Sequence, residues 1–387
     1  MYLSSELPVT ETKPKVLLNG LHALRGIAAM MIVLFHLHWL AKLEMPESFW
    51  LIKNYFGMGV PLFFVISAFS LYLSTFTRVS SPNWLRIYFI KRFFRIAPLF
   101  YLMICIYLIF LYVKFDKVFS LQEITINFLF LYNFFPGRQG SIVWAGWTIG
   151  VEYLIYAVLP FCLVYVRSER RALIILLFCT VVSIVARGLY AELSVPEEYG
   201  YMSFLGQVGV FAVGIPSYFI YRSSLGASRQ TFYGYLAFAV FFILVLGMLN
   251  ISFPLFHGPG KIHLQVWAVA FGALILSQVL APIGIITNRF TVFLGMLSFS
   301  LYLWHPLVIV GLKPVYKWIY TGIRETYYAF PLCFLVTTVV LIAVAIVSHR
   351  LIEVPGIAAG ERIIRHIKAR TAAATALSPP ATTYQGV

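Results

Sequence analysis

The chain has 387 residues, of which 61% are hydrophobic and 11% are charged, whereas soluble proteins carry about 25% charged residues. Its 29 basic and 14 acidic side chains are too few to cover the surface of a soluble fold of this length. The composition therefore excludes a soluble globular protein. The net charge of +15 does not predict a nucleic-acid partner, because the basic residues are spread among apolar runs and form no single tract.

A helix needs about 20 mostly apolar residues to cross a bilayer. This rule predicts an all-α, polytopic transmembrane helical bundle with one domain over residues 21–355, a segment before it at 1–20, and a basic, low-complexity tail at 356–387 that is disordered from residue 371. About ten spans are predicted, at 21–41, 56–75, 96–115, 147–166, 171–190, 200–222, 230–250, 264–281, 290–312 and 328–350.

The apolar stretch 121–135 is too short to span the membrane and is predicted to be a re-entrant or interfacial segment that lines the mouth of an active site.

The orientation of the chain in the membrane follows from the loops, because basic loops stay in the cytoplasm. The connection 76–95 carries five basic residues and no acid. With an even number of spans, both termini are predicted to be cytoplasmic, in an inner (plasma) membrane whose lipids surround the bundle.

Ionisable groups within spans are costly and are candidates for function. Arg25 and His36 are eleven residues apart in the first span, which on a helix is three turns plus about 20° and a rise of roughly 16 Å. They therefore share one face at two depths. Glu152 and His305 are expected to reach the depth of His36 in the outer third of the membrane. If Glu152 lies near His36 there, each polar side chain accounts for the presence of the other within the membrane.

Arg92 and Arg95 are three residues apart, so on a helix their guanidinium groups lie side by side. Such a pair can clamp a phosphate group, although a basic cluster that contacts anionic lipid is an equally simple interpretation.

The four cysteines lie in apolar runs without paired spacing, so no metal site is predicted.

Six segments follow one another along the chain: Leu24–Ala29 followed by His36, Phe63–Phe69 with Ser67, Arg92–Arg95, Trp147–Glu152, Ser298–Pro306 with Tyr302, Trp304 and His305, and Arg350–Pro355. In this order, over residues 17–355, they resemble the acyltransferase 3 family of integral membrane O-acyltransferases. The match departs from the family pattern at Ala68, where glycine is usual, and at Gly150, where serine or alanine is common.

The resemblance implies an acyl-CoA donor from the cytoplasm, normally acetyl-CoA, with no permanently bound cofactor. The acceptor would be a hydroxyl of a cell-surface glycan or lipid-linked saccharide, such as O-antigen or exopolysaccharide. On this basis Arg25, Arg92 and Arg95 are expected to hold the phosphates of CoA. His36 would act as general base, oriented by Glu152, while Ser67, Tyr302, Trp304 and His305 would bind substrate or support the site.

Three alternatives stay open. A covalent acyl-enzyme on His36 or Ser67 would replace direct transfer. Intramembrane His, Glu and Arg residues also serve as proton relays in secondary transporters and exporters. In a membrane-embedded binding or scaffold protein the same polar residues would be structural pairs.

Overall fold

A computed structural model describes residues 12–193, 195–252 and 263–377, and these are helical, without strands. Residues 1–11 and 378–387, which belong to the predicted N-terminal segment and tail, lie outside the described part. The helices are α1 (Thr12–Ala41), α2 (Trp50–Tyr55), α3 (Gly59–Thr75), α4 (Trp84–Phe115), α5 (Leu121–Phe128), α6 (Trp147–Tyr165), α7 (Glu169–Glu192), α8 (Glu197–Met202), α9 (Phe204–Ala212), α10 (Gly214–Ser223), α11 (Arg229–Ser252), α12 (His263–Leu280), α13 (Arg289–Met296), α14 (Ser298–Gly311), α15 (Lys313–Gly322), α16 (Thr326–Ser348) and α17 (Val354–Leu377).

Seven helical stretches among the described residues are long and apolar enough to cross a membrane, or eight if the bent pair α13 and α14 is one span. Each predicted span falls on helical structure, but the described parts of α11 and α12 are shorter apolar helices, Arg229–Val245 and Leu264–Leu280. The polytopic helical fold is therefore confirmed, and the count of about ten spans stays a prediction.

The stretch 121–135 forms the eight-residue helix α5 and a single 3₁₀ turn at Tyr132–Phe134, which is too short to cross a bilayer. The aromatic side chains of Phe130 and Tyr132 point into the bundle, whereas those of Phe134 and Phe135 are exposed. The ring of Phe130 stacks on Tyr153 with centroids 4.1 Å apart, and Tyr132 is fully buried and donates a hydrogen bond to the Gly146 carbonyl at 2.6 Å. The segment therefore supports the start of α6.

The first helix, α1, packs against α3, α12, α13 and α14. Its approach to α13 depends on Gly26 and Gly295. A Cβ atom at Gly295 would overlap the carbonyl oxygen of His22, and one at Gly26 would overlap that of Thr291. Small residues let helix backbones touch, which is the main route to close packing inside a membrane. This contact sets the distance between α1 and the α13–α14 pair.

The helix axis changes direction by 75° between α13 and α14. The bend lies at Leu297, and α14 starts again at Ser298 without a side-chain cap. The two short helices thus form one broken element. The break places the start of α14 within the protein, where Ser298 is buried.

The predicted tail is partly ordered. Helix α17 packs along the first half of α4, with an ion pair between Lys91 and Glu361 at 3.2 Å and a hydrogen bond from Asn83 to Thr371 at 2.9 Å. The expectation of disorder from residue 371 is therefore wrong as far as Leu377. Alanine-rich sequence has high helix propensity, and it extends a helix that packing on α4 already stabilises.

The packing of α1 on α13 predicts that Gly295→Ala lowers stability by about 1–3 kcal/mol, the usual cost of forcing extra volume into a packed contact. Thermal unfolding of purified protein in detergent, followed by tryptophan fluorescence, measures the change. The matched control is Gly234→Ala, because Gly234 is also helical and has open space around it. Equal melting temperatures for the two variants would contradict the close contact.

Candidate functional site

A cavity opens between five helices, α1, α3, α4, α6 and α14. One end of the bundle, which we call the arginine end, contains the first halves of α1 and α4. The walls combine three arginines and one carboxylate with hydroxyl groups and apolar side chains. They are Arg25, Val60, Phe63, Phe64, Ser67, Ser70, Leu71, Arg92, Arg95, Ile96, Thr148, Ile149, Glu152, Tyr156, Ser298, Phe299 and Tyr302.

The three arginines come from two helices. Arg25 donates a hydrogen bond from Nη2 to Ser70 Oγ at 3.3 Å. The guanidinium carbon of Arg92 lies 5.9 Å from the ring centroids of both Tyr88 and Tyr156. Its Nε is buried and has no hydrogen-bond partner among the described residues. The structure thus brings together the three arginines that the sequence singled out, in one cavity.

Glu152 accepts two hydrogen bonds on the same oxygen, Oε1. Ser67 Oγ donates one at 2.9 Å, and Tyr156, one helical turn further along α6, donates the other through its hydroxyl. Arg25 lies within electrostatic reach of Glu152 and Tyr156. The carboxylate is therefore held in place by α3 and α6 and faces the cation on α1.

This placement corrects two expectations about Glu152. It lies in the arginine cavity, not at the depth of His36, and its contacts are Ser67 and Tyr156, not the imidazole. The reason is the course of the chain before α6. Trp147 is buried, so α6 begins inside the bundle, and its first turns lie deeper than a helix that starts at the surface would place them.

His36 is paired with His305 instead. Nε2 of His305 lies 3.2 Å from Nδ1 of His36, and the ring centroids are 4.9 Å apart. Nδ1 of His305 lies 2.5 Å from the Tyr302 carbonyl, and Nδ1 of His36 also lies 3.1 Å from the Ile32 carbonyl. His305 is fully buried and His36 half-buried. The sequence predicted both histidines at one depth, and the structure joins them.

These contacts decide which ring nitrogens carry protons when both rings are neutral. A carbonyl only accepts, so Nδ1 of His305 must donate to Tyr302, which leaves Nε2 as an acceptor. Nδ1 of His36 then donates to that acceptor or to Ile32. The second nitrogen of His36, Nε2, keeps its lone pair free, which is the form that a general base needs.

Tyr302 links the histidine pair to the cavity. Its hydroxyl accepts a hydrogen bond from Thr148 and donates one to the Ala145 carbonyl, both at 2.8 Å, and its ring lies 5.6 Å from that of His305. Trp304, the other aromatic residue predicted here, is half-buried among apolar side chains and is not part of the cavity wall. Its buried Nε1 has no partner in the described ranges.

Sequence analysis assigned no role to four polar residues of the cavity wall, of which Thr148 and Ser298 lie within the segments that resemble the family and Ser70 and Tyr156 lie outside them. Tyr156 follows Glu152 by four residues, so its place on the same helix face could have been deduced from the helical period. Ser70 carries no comparable signal, because its role as partner of Arg25 depends on how α1 packs against α3. The predicted re-entrant stretch 121–135 supports α6 and does not belong to the wall of the cavity.

Comparisons with known proteins found one family model and one curated relative. The family model described as "Acyltransferase domain", of the acyltransferase 3 family, matches residues 18–350. A curated protein of Acidianus two-tailed virus, named "Putative acetyltransferase ORF330", is 25% identical over 292 residues, which cover 74% of this chain and 81% of that protein. No solved structure shows a significant match.

The geometry around Glu152 predicts that Glu152→Ala lowers the free energy of unfolding by about 1–3 kcal/mol, because two buried hydroxyls lose their acceptor. Glu152→Gln keeps an acceptor oxygen and should lose less. The control is Glu361→Gln, since Glu361 forms a surface ion pair that contributes little. Melting temperatures in detergent test this order, and an alanine variant as stable as Glu361→Gln would contradict it.

Proposed function

Since this chain belongs to the acyltransferase 3 family, we propose that it transfers an acyl group, normally acetyl, from cytoplasmic acyl-CoA to a hydroxyl of a cell-surface or lipid-linked glycan. The observation that carries the proposal is the His36–His305 pair, which leaves a free basic nitrogen on His36. The arginine cavity would hold the donor, with the arginine end facing the cytoplasm.

The charges of the cavity fit the phosphates of CoA. Three guanidinium groups face a single carboxylate there, so the cavity attracts anions. The forked donors of arginine match phosphate oxygens. A bound phosphate would also give the buried Nε of Arg92 the partner that it lacks among the described residues, and a buried donor without a partner is costly. These contacts support Arg25, Arg92 and Arg95 as the donor site.

The path from this site to His36 follows two helices. On α1, His36 lies eleven residues beyond Arg25, a rise of roughly 16 Å, and on α14, His305 lies seven residues beyond Ser298, a rise of about 10 Å. The extended pantetheine arm of CoA has a length that suits this offset. The thioester would then reach the histidine pair while the phosphates stay between the arginines.

In the proposed reaction, Nε2 of His36 removes the proton of the acceptor hydroxyl while the hydroxyl oxygen attacks the thioester carbonyl. The tetrahedral intermediate collapses, the C–S bond breaks, and the CoA sulfur leaves with the proton returned by His36. His305 takes the orienting role first expected of Glu152, because its Nε2 accepts from Nδ1 of His36 and would stabilise the charged imidazole.

Ser67 offers a second route for the acyl group. Its hydroxyl donates to Glu152, an arrangement in which a carboxylate can assist a serine nucleophile. Direct transfer is favoured here, because Ser67 lies in the arginine cavity with the phosphate-binding groups, whereas the basic nitrogen belongs to His36. Mass spectrometry of protein incubated with acetyl-CoA should find no acetylated Ser67, and a Ser67→Ala variant should retain transfer.

The histidine pair predicts that His36→Ala lowers acyl transfer by about 10²–10⁴-fold, the usual contribution of a general base. Acetyl-CoA binding, measured by equilibrium dialysis, should stay near the wild-type value because the arginines are untouched. His305→Ala should lower kcat with little change in donor binding. His366→Ala is the control, since His366 is an exposed histidine on α17 that lies outside the cavity. Wild-type turnover by His36→Ala would refute the assignment.

The donor site predicts that Arg92→Gln combined with Arg95→Gln weakens CoA binding by about tenfold or more, since each charge-assisted bond to phosphate contributes roughly 1.5–3 kcal/mol. The loss should shrink when dephospho-CoA, which has one phosphate fewer, replaces CoA. Arg86→Gln on the same helix is the control, because Arg86 lies outside the cavity. Unchanged affinity for CoA in the double variant would mean that these arginines only set the orientation of the chain in the membrane.

The overall activity is tested by mass spectrometry of cell-surface glycans with and without the gene. We expect a mass difference of one acyl group. Binding or slow hydrolysis of acyl-CoA by the purified protein separates this proposal from the alternative of a transporter, which should do neither.

A further inference from the structure

A second polar pocket lies at the end of the bundle opposite the arginine end. It is an open pocket between the end of α1, helix α15 and the start of α16. Four exposed cations line it, Lys42, Lys313, Lys317 and Arg324, against the single carboxylate of Glu44. Within the described ranges none of the four cations forms an ion pair. We call this the basic pocket.

Hydrogen bonds hold the walls of the basic pocket together. Nδ1 of His38 donates to the Leu43 carbonyl at 2.9 Å, and the hydroxyl of Tyr320 on α15 donates to the Glu44 carbonyl at 2.6 Å. The buried hydroxyl of Tyr316 bonds Thr337 on α16 at 2.6 Å. The loop 42–44 is thus fixed to α15, and α15 to α16, so the fold fixes the backbone positions from which the cationic side chains extend.

The basic pocket lies beyond the histidine pair, on the side away from the donor site. Lys42 follows His36 by six residues, a distance of about 9 Å along α1, and Lys313 follows His305 just past the end of α14. A ligand held there could therefore place a hydroxyl at Nε2 of His36. The donor and the basic pocket approach the histidines from opposite ends of the same two helices.

Membrane topology does not explain these cations. Basic residues near spans mark the cytoplasmic side, and Arg78, Arg86, Lys91, Arg92 and Arg95 fulfil that role at the arginine end. The loop between α14 and α16 lies at the opposite end, where the same rule favours fewer basic residues. A different cause is needed for three basic side chains in this short stretch.

We propose that the basic pocket binds a phosphate group of the acceptor, so that the acceptor is a phosphorylated or lipid-phosphate-linked sugar and not a neutral glycan. This inference rests on the proposed function for the direction of transfer. Four cations that line one pocket suit a phosphate group, which offers several acceptor oxygens, better than a single carboxylate. The phosphate anchors the sugar at about one to two helical turns from His36, and the acyl group arrives from the other side.

The test uses purified full-length protein in phosphatidylcholine nanodiscs with excess CoA, which occupies the arginine cavity. Glucose 1-phosphate and the uncharged methyl glucoside are the probes, and their affinities are measured by equilibrium dialysis. Wild-type protein should bind glucose 1-phosphate more tightly than methyl glucoside. The triple change Lys313→Gln, Lys317→Gln and Arg324→Gln should weaken glucose 1-phosphate binding by about tenfold or more and leave CoA binding unchanged.

The matched control is Lys114→Gln, an exposed lysine at the same end of the bundle but on α4, outside the pocket. Equal affinity for the two sugars, no binding at millimolar concentrations, or equal binding by the triple variant and Lys114→Gln would overturn the proposal. So would displacement of the sugar phosphate when phosphatidylglycerol is added to the nanodiscs, because the pocket would then hold lipid headgroups. Failure of wild-type protein to bind CoA would instead overturn the proposed function.

Discussion

Helix α1 can contact α13 at van der Waals distance only because Gly26 and Gly295 have no side chains, and the rest of the site depends on this contact. It fixes α1 beside the broken element α13–α14, so that His36 meets His305 at hydrogen-bond distance. It also leaves the space on the other side of α1 that α3, α4 and α6 close around the arginines. Without a hydrophobic driving force between helices, such steric fit is what holds a membrane bundle together.

The features that depend on a single helix could be predicted from the sequence. Arg25 and His36 share a face because both belong to α1, and the helical period alone places them. The resemblance of six short segments to one family also singled out polar residues, several of which the structure places in one cavity. Their pairing could not be predicted in the same way, because it depends on the depth at which each helix starts. Glu152 is an example. Because α6 begins inside the bundle after an irregular stretch of chain, the carboxylate contacts Ser67 and Tyr156 and not the predicted histidine.

Buried polar groups outside the cavity follow the same physical rule, since a polar group inside an apolar bundle needs a partner. Arg187 is almost fully buried on α7 and donates to the Gly206 carbonyl at 2.5 Å and to Gln265 at 3.0 Å, which ties α7 to α9 and α12. Glu353 is buried too and accepts from Ser300, which ties the π-helical turn between α16 and α17 to α14. Sequence analysis singled out neither pair, because the partners are far apart in the chain and their pairing depends on how the helices pack.

The break between α13 and α14 adds a charge that no side chain carries. Ser298, the first residue of α14, lines the arginine cavity, and the first turn of a helix presents amide groups without internal partners and a partial positive charge of roughly half a unit. Backbone amides do not titrate. In the proposed donor site, the attraction for the phosphates of CoA would therefore have a component that stays constant with pH and that no single side-chain substitution would remove, because it is part of the backbone itself.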